Sequence, residues 1–196
     1  MKILTILGSP QKAGKTATVL KFVEEKITAK GDEIIRVNAA EKQISGCRGC
    51  YACMQVQDSP GCVLQDDMHD VYSKMISADA IIIASPIYCY ELTSQIKPLL
   101  DRSFALMYTP LLDEKTVAGL ITCMGEENGN ADLVTKAFHR MFDFDSSQKS
   151  IFQTKLAGTY VVSNSRAEDF ESRAKAVADK LADDILSTLQ NRRITV

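Results

Sequence analysis

Asp79-Ala80-Ile81-Ile82-Ile83-Ala84-Ser85-Pro86 decides the reading of this chain. A strand with one wet face alternates apolar and polar residues, whereas a strand covered by helices on both faces runs almost continuously apolar. The second pattern is present here, and Pro86, which lacks a backbone N–H, is expected to end the strand's pairing. Outward from it, KILTIL near the start, DEIIRVN, KTVAGLITCM and KLAGTYVVSN are rich in apolar and β-branched residues and read as four further strands. Helical periodicity fills the intervals, over residues 16–29, 68–78, 92–107 and 131–142. In the last, from about 167 to 192, Phe170, Ala174, Val177, Leu181, Ile185 and Leu189 recur at three- and four-residue steps. Five strands alternating with helices indicate an α/β fold with an open, doubly wound parallel sheet. Ligands in such sheets bind outside the carboxyl ends of the strands, where strand order reverses. The loops Gly8 to Lys15, Ser85 to Leu92 and Cys123 to Gly129 are therefore the places to look.

With 196 residues, 45% of them hydrophobic, the chain has material for one core, and residues 1–196 are read as a single domain. A net charge of −2 and a pI near 5.7 create no field for a polyanion, so a small-molecule ligand is expected and nucleic acid is not. MKILTILGSP is too short an apolar run for a signal peptide, and no segment approaches a membrane span, so the expectation is a cytoplasmic protein without membrane contact. Six cysteines in that setting are thiols, metal ligands or redox groups rather than structural disulfides, and four of them fall within sixteen residues.

The stretch Gly8-Ser9-Pro10-Gln11-Lys12-Ala13-Gly14-Lys15-Thr16 approaches a nucleoside-triphosphate loop without matching it. Five residues rather than four separate its glycines, and Pro10 removes an N–H from the part that would cradle the phosphates. Neither the third nor the fourth strand ends in an acidic residue that could organise magnesium. A monophosphate held by Ser9, Thr16, Lys15 or Lys12 and a helix N-terminus fits better than a capped structural turn. In SPIYCYELTSQIKPLLDR, Tyr88 and Tyr90 place aromatic rings at a ligand-facing edge where a flat heterocycle could stack, with Thr93 and Ser94 available to cap the next helix. His69 and His139 have no partner constellation and read as surface or boundary residues. Asp66 and Asp67 read as helix N-caps, and Cys89 and Cys123 as small packing residues.

As an ordered set, Gly8-Ser9-Pro10, Gly14-x-Thr16, Asp66-Asp67-Met68, ADAIIIASPIY and IKPLLDR resemble the flavodoxin-like NADPH-dependent FMN reductase family. The resemblance covers most of the chain to about Arg102 and continues more loosely through GLITCMG. It implies a five-stranded sheet of order 2-1-3-4-5 that binds FMN. The first loop (Ser9, Pro10, Lys15, Thr16) would take the phosphate, and Pro86, Ile87 and Tyr88 would lie along the flavin ring. Lys15 stands where members often have Asn, so it adds charge at the phosphate or faces solvent. NAD(P)H would be the donor and a flavin, quinone or other small molecule the acceptor, in a homodimer or homotetramer. The flavin carries the chemistry, so no catalytic side chain is expected.

Cys47-x₂-Cys50-x₂-Cys53-x₈-Cys62, in an irregular loop over residues 45–66, can surround a cubane iron–sulfur cluster. The compact motif resembles the iron–sulfur flavoprotein branch of the same family, although its last gap is longer than in that branch. Metal-free thiols and a zinc site stay open beside a 4Fe–4S cluster. The alternative function is accordingly an iron–sulfur flavoprotein that transfers electrons, with a nucleotide-binding enzyme a remote third.

Overall fold

The structure, a computed structural model, describes residues 1–56, 58–107, 109–143 and 152–194. Strands β1 (Lys2–Leu7), β2 (Glu33–Asn38), β3 (Ala80–Tyr88), β5 (Thr116–Thr122) and β6 (Lys155–Val162) form a parallel sheet of order β2-β1-β3-β5-β6. A two-residue strand, β4 (Glu91–Leu92), pairs antiparallel with the end of β3. With β4 set aside, this is the flavodoxin-like order 2-1-3-4-5.

β3 is the central strand, flanked by β1 (Ile3↔Ala80, Leu7↔Ala84) and β5 (Ala80↔Thr116, Pro86↔Thr122). Successive residues feed opposite cores. Leu4, Ile6, Ile81, Ile83, Val117 and Ile121 pack on one face with Val71 and Tyr72 of helix α2 (Met68–Ser77), Leu99 of α3 (Lys97–Arg102) and Phe138 of α5 (Asp132–Phe142). Ile3, Leu7, Ile82, Ala84, Ala118 and Leu120 pack on the other with Val19, Leu20 and Val23 of α1 (Lys15–Ala29) and Ala178, Leu181 and Ile185 of α6 (Phe170–Ile194). The unbroken apolar run of β3 follows from this double cover.

Two sequence expectations fail after β3. Pro86 ends pairing with β5, at Thr122, but the strand continues to Tyr88 by folding back on β4. A proline needs only to avoid a ladder donor position, and the hairpin supplies new partners for the residues beyond it. The single helix expected over residues 92–107 is instead β4, a turn, α3 and the short α4 (Phe104–Met107). Leu92 is held by Ile87, and Pro98, which cannot donate to a preceding turn, sits in the first turn of α3, where no donor is needed.

The β3–β4 hairpin turns through Cys89 and Tyr90, both at positive φ (49° and 66°). Two-residue turns of this hand favour Asn-Gly, because side chains with a Cβ are strained there. Tyr90 is 62% exposed and contributes little packing. Tyr90→Gly should therefore stabilise the apoprotein by about 1 kcal/mol, seen as a higher urea midpoint at unchanged slope. A lower midpoint would mean that the ring packs more than its exposure suggests.

Candidate functional site

Strand order reverses between β1 and β3, and the loops leaving their carboxyl ends are bolted together there. Gly8 N–H donates to Ala84 O (2.7 Å), Thr93 Oγ1 donates to Gly8 O (2.5 Å), and Thr93 N–H donates to Ser85 Oγ (3.3 Å). Thr93 thus joins two loops instead of capping α3. A Cβ on Gly8 would stand 3.0 Å from Ile96 Cβ and 3.2 Å from Ala84 O, so any larger residue would push these neighbours back by a few tenths of an ångström.

Above this floor opens a cleft of about 560 Å³. Ser9, Gln11, Lys15 and Thr16 line one end and Pro86, Ile87, Tyr88 and Cys89 another, with Thr122 at the end of β5, Cys123 and Met124 just beyond it, and Ser165 and Arg166 from the loop after β6. The structure brings together six of the seven residues expected to hold the flavin: Ser9, Lys15, Thr16, Pro86, Ile87 and Tyr88. Pro10 is exposed and lies outside. The Ser9 hydroxyl accepts the Gln11 N–H (3.1 Å), a local turn that sends the proline outward and brings Gln11 to the cleft.

The phosphate-like end is built from the start of α1. Its N-cap, Gly14, offers no side-chain acceptor, and the first turn carries no acidic residue. The leading N–H groups and the positive end of the helix are left for an anion. Thr16, buried, shares a 2.6 Å hydroxyl contact with Thr122. If Thr122 donates, the Thr16 proton is free for a ligand. Lys15 Nζ lies 4.5 Å from the centre of the Phe170 ring, a cation–π contact that keeps the ammonium beside the cleft. Arg166, exposed, adds a second cation at the same cleft. Sequence reading missed Arg166 and Ser165, although the rule that points to strand carboxyl ends applies equally to β6. Tyr88 is 45% exposed at the mouth, free to present a ring face. Burial pushes the Cys123 thiol up, with Glu127 and Glu126 adding to the shift, so it stays neutral and packs.

All four cysteines of the loop line a second cavity, of about 280 Å³, with Arg48, Leu64, Asp101, Arg102 and Phe104. Cys47 and Cys50 are exposed, Cys53 and Cys62 partly buried, and none is in a disulfide. Gly49 N–H is directed at Cys47 Sγ (3.5 Å). Among the described residues no three His, Cys, Asp or Glu converge as a single metal ion requires. Four thiolates around one zinc would stand about 3.8 Å apart. A cubane presents its irons at separate corners and needs its thiolates further apart, around a common space. The four thiols line one cavity, a donor set that either group could use.

Asp66 and Asp67, expected as caps, are chiefly clamps on this loop. Asp67 Oδ2 accepts the Gln43 N–H (2.8 Å), and Asp67 makes no side-chain cap to its helix. Asp66 Oδ1 accepts the Met68 N–H (3.1 Å), while its Oδ2 accepts the Ser45 N–H (3.0 Å) and Arg102 Nη1 (2.6 Å). Arg102 donates further to Ser45 O and Leu64 O, both at 3.2 Å, so one guanidinium ties both ends of the cysteine loop. Burial pushes the Asp66 carboxyl up, but Arg102 and the two N–H donors prevail and bring its pKa to about 2. His69 bonds Leu64 O (3.0 Å), and His139 sits on the surface against Asp143; neither lines the cleft or the cysteine cavity.

No helix among the described residues is long and apolar enough to cross a membrane. Among solved structures, the chain is similar to an NAD(P)H:quinone oxidoreductase from Methanothermobacter marburgensis (TM-score 0.72, 13% identity, 93% of this chain and 96% of that one). It is also similar to an NADH:FMN oxidoreductase (TM-score 0.60, 18% identity, 95% and 89%). At those identities the likeness speaks for the fold. In sequence it is 32% identical to an iron-sulfur flavoprotein of Methanosarcina thermophila over 71% of each chain. An iron-sulfur flavoprotein of Methanocaldococcus jannaschii is also 32% identical, over 72% of this chain and 71% of its own. The profile described as NADPH-dependent FMN reductase matches residues 1–148, three quarters of the sequence, and the chain belongs to that family.

Proposed function

We propose that the protein is an FMN-dependent oxidoreductase that takes electrons from NAD(P)H and passes them to a flavin, quinone or other small acceptor. The observation that carries the reading is the uncapped start of α1, which opens into a cleft at the reversal point of the sheet beside Ser9, Thr16, Lys15 and Arg166. These residues fit a single phosphate. FMN, when bound, supplies hydride acceptance and electron release. The chain's own tasks are to hold the phosphate at Ser9 and Thr16, to keep the ring between the Pro86–Tyr88 segment and the Thr122–Met124 segment, and to leave one ring face open to the donor. The stiff Gly8–Thr93–Ser85 floor fixes the spacing between the phosphate end and the ring end.

Titration of the apoprotein with FMN, FAD and ATP tests the site, and FMN should bind most tightly. Magnesium-dependent preference for ATP would overturn it. Without oxygen, NADH or NADPH should bleach the bound flavin and an added quinone should restore the colour. If both nicotinamides fail over a wide concentration range while a reduced ferredoxin succeeds, the donor is a protein.

A second reading rests on the cysteine cavity. We propose that Cys47, Cys50, Cys53 and Cys62 hold a 4Fe–4S cluster, as the four-thiol donor set and the names of the relatives suggest. Such a cluster supplies one-electron transfer. α3 links the two sites: Ile96, just before it, packs against Gly8 beneath the cleft floor, and its last residue, Arg102, lines the cysteine cavity. Six residues of helix span only about 9 Å. Anaerobic reconstitution should give about four iron and four sulfide per chain, lost in Cys62→Ser. Unmetallated protein under those conditions would make the four residues a thiol site instead.

A further inference from the structure

The wall of the cysteine cavity contains a charge that its local partners do not fully occupy. Arg102 is wholly covered and spends Nη1 and Nη2 on Asp66, Ser45 and Leu64, yet its Nε–H is buried with no acceptor among the described residues. A covered N–H left without an acceptor is uncommon in a folded protein, and an arginine cannot escape the cost by losing its proton. The other charged residues on the cavity are Arg48, which is exposed, and Asp101, whose carboxylate is paired with Lys97. Arg102 and Cys62 line the same cavity. Leu64, whose carbonyl Arg102 binds, lies two residues beyond Cys62.

We propose that Arg102 is a positioning and potential-setting residue for an anionic, thiolate-held group in this cavity, supplying the buried positive charge and its unpartnered Nε–H donor. The proposal rests on the cluster reading above. Four thiolates around an iron–sulfur core carry net negative charge, and reduction adds one electron and one more negative charge. A fixed cation beside them favours the reduced form, and a hydrogen bond to sulfur acts in the same direction. Asp66 then has two effects. It orients the guanidinium, and its own negative charge offsets part of the cation's influence.

The test uses the full chain, reconstituted without oxygen, with the cluster's midpoint potential and its iron content as readouts. FMN binding reports folding, because the flavin cleft contains no member of this network. Arg102→Gln should make the cluster at least tenfold harder to reduce, a shift of about 59 mV to more negative potential for a one-electron couple, and should shed iron faster in air. Arg102→Lys, which restores charge but not the planar fork, should recover part of the shift. Asp66→Asn, which keeps an acceptor oxygen but not the charge, should move the potential the opposite way. This variant decides the matter if Arg102→Gln no longer binds FMN. A wild-type protein that takes up no iron sinks the cluster reading and this proposal together. A wild type with four iron, beside Arg102→Gln or Asp66→Asn variants that bind FMN and keep the wild-type potential, sinks this proposal alone.

Discussion

A Ser9→Ala/Thr16→Ala variant is expected to bind FMN at least about a hundredfold more weakly than wild type. Each hydroxyl that donates to an ionised phosphate contributes about 1.5–3 kcal/mol, or roughly tenfold or more in affinity. Both hydroxyls have the capacity for it. Ser9 Oγ faces Gln11 O at only 3.4 Å, a bond long enough to give up for a phosphate, and Thr16 keeps a free proton when Thr122 donates across their contact. Thr16→Ala also leaves the Thr122 hydroxyl without this partner in the protein's interior, so part of its effect should appear as lower stability of the apoprotein. Ser9→Ala removes the acceptor of the Gln11 N–H, so its affinity loss should also come with some loss of stability. Fluorescence quenching of added FMN measures the first quantity and urea unfolding the second. Wild-type FMN affinity in the double variant would mean that the phosphate lies elsewhere, with Arg166 the next residue to test.

The second large effect concerns stability. Asp66→Ala should destabilise the protein by about 3–5 kcal/mol, because it leaves the covered Arg102 guanidinium without its counter-charge. The same pair predicts how wild type responds to acid. The folded pKa of Asp66, about 2, lies below its ordinary value of 3.8. Its contribution, on the order of 2 kcal/mol, is therefore complete above about pH 4 and disappears as the pH falls to 2. Asp66→Asn should flatten that part of the stability profile. A variant as stable as wild type, with the same acid limb, would show that the guanidinium is satisfied without the carboxylate.

The two sites differ in how much of each was legible in the sequence. The sheet was legible because its signal is local and periodic: Ala80 to Ala84 is apolar throughout, the strands flank it at regular intervals, and α6 repeats its apolar face from Phe170 to Leu189. The loops after β1 and β3 could be named because the reversal rule places binding loops at strand ends, Ser9, Lys15, Thr16 and Tyr88 for the chemistry of their side chains, and Pro86 and Ile87 through the family resemblance. Pairing beyond Pro86 and the break of the expected 92–107 helix were not legible. A hairpin through left-handed Cys89 and Tyr90 goes against local preference and is selected by the contacts of Ile87 with Leu92.

The sequence by itself determined the order of elements, the doubly covered central strand, the phosphate-like first loop and the spacing of Cys47, Cys50, Cys53 and Cys62. All of these are properties of residues close together in the chain. Only the tertiary structure decided that Arg166 joins Ser9 and Thr16 at one cleft, that Thr16 meets Thr122, and that Arg102 and Asp66 clamp the neck of the cysteine loop. Those partners are separated by 150, 106 and 36 positions or more, and no local propensity encodes them. They meet because burying both faces of one sheet brings the carboxyl ends of its strands, and the loops that leave them, to the same edge of the molecule.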